Sequence, residues 1–171
     1  MSVEQELHEH AGHAKDPFDK RVAASMAALA AILAVISVLC HMTTTEEIVL
    51  QQKASDQWSY YQAKSIRRYE SEIARDVLSA VKGDKSEEYA RNIEKYKQDG
   101  EEIQTKAKEL EQESHHKGRQ AVRLEVGEVF VEVAIVLASL AILTKRNQAW
   151  VACLTSGGIG ILIALTTIAM H

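Results

Sequence analysis

The sequence predicts an all-α membrane protein: three transmembrane helices, with a long antiparallel coiled-coil hairpin inserted between the first and the second. Three observations lead there. The apolar residues, 46% of a 171-residue chain, are gathered into blocks long enough to cross a bilayer. The charged residues are gathered between two of those blocks, in a segment dominated by glutamate, lysine, glutamine and alanine and lacking β-branched runs, which favours helix over strand. Proline occurs once, at Pro17, so no ring breaks a helix downstream of it.

Residues 1–21 read as a flexible tail containing His and Glu. The run "HEHAGH" supplies His8, His10 and His13 beside Glu6 and Glu9, donor types that suit zinc, nickel or copper. Their spacing matches no closed structural site, and short His-rich tracts bind metals without a dedicated role. They stand as weak metal candidates, and no cofactor is expected.

Residues 22–42, "VAASMAALAAILAVISVLCHM", hold no Asp, Glu, Lys or Arg. A span needs about 20 mainly apolar residues, so this is the first transmembrane helix. A cleaved signal peptide is disfavoured, because a long acidic tail precedes a block that exceeds the usual signal core. Ala23, Ala27 and Ala31 recur every fourth residue, a ridge suited to close helix packing.

Residues 43–126 carry 15 basic against 17 acidic residues and form the hairpin. Its turn falls near 82–86, where Gly83 can end one helix and Asp84 or Ser86 can cap the next. On the returning helix Tyr89, Ile93, Tyr96, Gly100, Ile103, Ala107 and Leu110 recur with an average step of about 3.5, the period of a left-handed coiled coil. The outgoing helix offers Ala54, Trp58, Tyr61, Ile66, Tyr69, Ile73, Val77 and Val81 as the facing stripe. A turn centred on Gly83 sets Trp58 and Tyr61 beside Ala107, and Ile66 and Tyr69 beside Gly100, large against small. Trp58, Tyr60, Tyr61 and Tyr69 are thus either core knobs or a docking patch, with Tyr60, which lies off the stripe, the best docking candidate.

Residues 127–144 form the second span, 145–148 a short basic loop, and 149–171 the third span, with Trp150 as an interfacial anchor. Ala152, Ser156, Gly160 and Ala164 make a second every-fourth ridge for close helix packing. "TSGGIG" lacks the lysine and the strand context of a phosphate loop. Cys40 and Cys153 fall at opposite membrane faces and read as apolar packing residues.

Glu125, Glu128 and Glu132, at spacings of three and four, carry one acidic helix face into the second span. An intramembrane acid is costly and points to function by default, here a proton or cation path with Arg123, His41 or His171 at the same edge. The competing reading is a shallow carboxylate hydrogen-bonded to a neighbouring helix near the headgroups. The pair His115-His116 faces two directions and is weaker as a ligand set.

No Ser-His-Asp or Cys-His arrangement, glycine fingerprint or clustered basic patch is present, so no enzyme, nucleic-acid partner or small-molecule substrate is expected. Lys15, Lys20, Arg21, Lys145 and Arg146 on one side outnumber Lys53, Lys117, Arg119 and Arg123 on the other. The positive-inside rule then places the amino terminus in the cytoplasm and the hairpin in the periplasm of a bacterial inner membrane.

Three stretches carry a family resemblance: "KASDQWSYYQAKSIRR", "HEHAGHAKDPFDKRVAASMAALAAILAVIS" and "VFVEVAIVLASLAILTKRNQAWVACL". Together they resemble the bacterial membrane proteins grouped as domain of unknown function 4337, over nearly the whole chain. The resemblance implies a membrane layout and a bacterial origin, and no activity. The expected function is a non-enzymatic membrane scaffold or accessory subunit. Its partners are the lipid bilayer and either further copies of itself or a larger membrane complex. The alternative is an oligomeric ion or proton pathway lined by Glu128 and Glu132.

Overall fold

From Phe18 to Lys82 the sequence contains neither proline nor glycine, so nothing in it stops a helix once begun. The computed structural model describes residues 17–81 and 86–168. It has three helices and, among the described residues, no strand: α1 (Pro17–Ala80, 64 residues), α2 (Ser86–Thr144, 59 residues) and α3 (Asn147–Ile168, 22 residues). Pro17 opens α1 at the position where its missing N–H costs nothing, and Asp19 complements the positive end of the helix dipole. No break separates the first apolar block from the charged segment; Thr43, at their junction, returns its hydroxyl to Leu39 O at 2.9 Å and stays helical. All three helices are long and apolar enough to cross a membrane.

The chain divides into two compact units, Met1–Thr43 with Arg119–His171, and Thr44–Gly118. The apolar unit is built on small residues. Its α2 contributes a buried line of Leu124, Gly127, Val131, Ala134, Ala138 and Ala141, whose steps of three and four keep it on one face. From α3 come Cys153, Gly157, Gly160, Ala164 and Thr167, again by threes and fours. A Cβ added to Gly160 would stand 2.6 Å from Gly127 O, and one added to Gly127 would stand 2.9 Å from Gly160 O. Backbone therefore meets backbone, an approach that only glycine allows. Ser156 donates to Phe130 O at 2.8 Å beside this contact.

From α1 the buried positions are Val22, Leu29, Ile36 and Cys40. The ridge expected at Ala23, Ala27 and Ala31 does not pack here: all three are exposed. The larger side chains one position round the helix fill the space instead, Leu29 lying over Gly157. Trp150 is half-buried against Phe18, with its indole N–H donated to Ser25 Oγ at 3.3 Å, so this anchor packs onto α1. Lys145, in the left-handed region at φ 55°, closes α2 and pairs with Asp19. Both cysteines are buried.

In the charged unit, residue numbers rise along α1 as they fall along α2. Glu46 pairs with Lys117 at 2.7 Å, Ser114 donates to Glu47 O at 3.2 Å, Trp58 meets Glu111, and Lys64 meets Asp99. The register differs from the one expected. Gly100 lies under the Tyr61 ring, 3.6 Å from where its Cβ would be, and not under Ile66 and Tyr69. The facing stripe also changes sides along α1. Ala54 is buried and Trp58 and Tyr61 half-buried, but Ile66, Tyr69, Ile73, Val77 and Val81 are 56 to 70% exposed. Lys64, Arg68, Ser71 and Leu78 take their place on the covered side. Long basic side chains lay their methylene stems on a neighbour while the heads reach polar partners, and Ser71 is small enough to admit close contact. Apolarity alone was therefore a poor guide to the covered face.

Candidate functional site

Two surfaces carry the residues singled out from the sequence, one in each unit. In the apolar unit α2 aims Leu124, Gly127 and Val131 inward, which rotates the carboxylates about a quarter turn to the side. Glu125 and Glu132 are exposed and Glu128 half-buried. No hydrogen bond or ion pair reaches any of the three from the described residues. They mark an outer edge of α2, and one copy encloses no carboxylate-lined passage among the described residues. Ala152 and Ser156 are half-buried, whereas Gly160 and Ala164 lie in the α2–α3 contact. A groove of about 350 Å³ runs between Ile32, Ile36, Leu39, Leu124, Ile161 and Leu165, lined by apolar side chains.

In the charged unit the aromatic residues are held by specific polar partners. Trp58 donates its indole N–H to Glu111 Oε1 at 2.8 Å and stands edge-on to Tyr61, with ring centroids 5.7 Å apart. Tyr61 in turn covers Gly100. Lys64 Nζ sits 5.4 Å from the ring centroids of both Tyr60 and Tyr96 and binds Asp99 Oδ2 at 2.7 Å. The hydrogen bond that Lys64 donates to Asp99 raises the Lys64 pKa above the usual lysine value, and the same bond lowers that of Asp99. Tyr60 is 51% exposed, and Tyr69, 56% exposed, lies under the Arg68 guanidinium at 4.9 Å. A groove of about 320 Å³ opens beside this cluster, between Glu47, Gln51, Trp58, Glu111, Ser114 and His115. His116 is half-buried with Nδ1 unbonded.

The described residues contain no group of three or more His, Cys, Asp or Glu side chains arranged to hold a metal ion. His8, His10, His13 and His171, and the turn at 82–85, lie outside the described residues. Sequence reasoning missed the Gly127–Gly160 contact and the Lys64–Asp99 pair. Glycine in the middle of a long helix is the signal that could have found the first, since it costs about 1 kcal/mol unless something must come close.

Residues 18–170 match the profile of a family described as a domain of unknown function (DUF4337). The chain belongs to that family. The match takes in both units, in agreement with the resemblance carried by the stretch around Trp58. No curated protein and no solved structure matches the chain.

Proposed function

We propose that this member of the family is a non-enzymatic membrane scaffold or accessory subunit, self-associating or bound to a larger membrane complex. Three spans hold it in a bacterial inner membrane, with the amino terminus in the cytoplasm. The segment between the first two spans forms an antiparallel coiled-coil hairpin in the periplasm. One observation carries the reading: Ile66, Tyr69, Ile73, Val77 and Val81 are all exposed on α1, in the unit that holds most of the charge. A contiguous row of large apolar side chains in water is the mark of an interaction surface. The small-residue contact between α2 and α3 holds two of the spans together, because helices in lipid associate through close van der Waals contact.

Purification from native membranes in mild detergent tests this. The expected result is an assembly well above the 19.0 kDa of one chain, through further copies or a co-purifying protein. A lone monomer with nothing bound overturns it.

The ion or proton pathway is favoured by a different observation: among the described residues, no hydrogen bond or ion pair reaches Glu128 or Glu132 on an otherwise apolar span. Copies arranged around that edge would line a path with carboxylates. Glu132→Gln in liposome flux assays is decisive: the pathway requires flux in the parent and its loss in the variant.

A further inference from the structure

The exposed row on α1 names its own occupant. Its members step by 3, 4, 4 and 4 residues, an average of 3.75, so at 100° per residue the row drifts by only roughly 60° from end to end. It is one nearly straight face, and a repeat longer than 3.6 favours right-handed crossing of two helices that share it. The opposite side of the same segment is already occupied, by Lys64 on Asp99 and by buried Ser71.

We propose that this face binds the same face of a second copy, α1 against α1, in parallel register. The inference rests on the scaffold reading above and specifies its partner. Two copies in one bilayer share an orientation, so a two-fold axis along the membrane normal brings identical residues to the same level. Ile73 then meets Ile73, with Tyr69 and Val77 flanking it on both copies. Covering these five side chains, each 56 to 70% exposed, buries on the order of 600 Å² on each copy. The pair reaches about 1,200 Å², the lower edge of what stable specific interfaces bury.

Charge agrees with a like partner. On the borders of the row Asp76 is paired with Arg75 at 2.7 Å, and Glu72 with Arg68 at 3.5 Å, each within one copy. The face thus carries no concentrated charge calling for a partner of opposite sign. Exposed Glu70, four residues after Ile66 and three before Ile73, lies on the face itself, with exposed Arg67 one turn before it as a neighbour of opposite charge.

Cysteine cross-linking in membranes tests the contact. With Cys40 and Cys153 replaced by alanine, Ile73→Cys is oxidised in situ and compared with Gln98→Cys on the exposed side of α2. A disulfide needs Cα atoms within about 7 Å, so it reports register as well as proximity. The expected outcome is a species of twice the chain mass for Ile73→Cys and none for Gln98→Cys. Tyr69→Cys and Val77→Cys repeat the measurement should Ile73→Cys fold poorly, and they should link as well. Failure of all three to link in helical, membrane-inserted protein overturns the proposal, as does a link to a protein of different mass. If the parent still purifies as an assembly while none of the three links, the scaffold reading survives and this contact alone falls. A monomeric parent with nothing bound removes both.

Discussion

The two units solve the same problem, holding long helices together, with opposite materials. In the apolar unit the contact between α2 and α3 is made by side chains that are nearly absent: Gly127 faces Gly160 through carbonyl oxygens, and Ala134 faces Gly157. In the charged unit it is made by reach: Lys117 to Glu46, Lys64 to Asp99, and the indole of Trp58 to Glu111. Each material suits a different medium. Lipid rewards apolar burial little, because tails are as apolar as leucine, so the gain comes from close approach. Water leaves room for long polar side chains whose stems pack and whose heads remain satisfied.

Substitutions can break or sharpen this contrast, and the largest effect is expected where no atom can yield. Gly160→Val should push α3 off α2, because the new side chain meets Gly127 O and the Val131 side chain. A loss of about 3 kcal/mol or more in unfolding in detergent, followed by circular dichroism, is the expected reading. A cost near zero would mean that the helices are free to separate, and the close-approach account would be wrong.

Next in size is Trp58→Ala, which removes a half-buried indole, its bond to Glu111 and its edge contact with Tyr61. About 2 kcal/mol is expected, below the cost of a fully buried tryptophan. Trp58→Phe should recover part of it, since the ring contact outlives the hydrogen bond.

Gly100→Ala should act in the opposite direction and separates the two units most cleanly. Its Cβ would stand 3.6 Å from Tyr61, an ordinary contact, so the improved helix propensity is retained. A gain of up to about 1 kcal/mol is expected, where the same change at Gly160 destabilises.

The smallest effect is that of pH on the Lys64–Asp99 pair. Asp99 has its pKa lowered in the folded chain, so the stability it contributes is present above the ordinary carboxylate value and is lost as pH falls through the folded one. Lys64 has its pKa raised, so its contribution is present below the ordinary lysine value and is lost as pH rises through the folded one. Thermal melts between neutral pH and about pH 3 should show a fall that Asp99→Asn removes. An identical slope in parent and variant would show the pair to be without weight.

Much of the architecture was legible from residue types. The absence of charges from 22–42 and 149–170, and of proline and glycine from 18–82, dictated long helices and their apolar blocks without reference to any neighbour. α1 ends at Ala80 and α2 starts at Ser86, while the turn expected near 82–86 falls on residues outside the described ones. The aromatic cluster was legible in part: Tyr61 does meet a glycine, but in a register shifted from one centred on Gly83. Glu125, Glu128 and Glu132 were legible as one face of α2, though not as an outward one.

Periodicity alone determined that residues 66–81 carry an apolar line and that α2 carries another, because spacing along a helix is a local property. Which line meets which was decided only in three dimensions. On α1 two sides competed for α2, and the polar one won through Lys64, Arg68 and Ser71, leaving Ile66, Tyr69, Ile73, Val77 and Val81 exposed. The choice depends on shape, on partner atoms across the gap and on how far a side chain reaches, and none of these is written in the order of residues on a single helix.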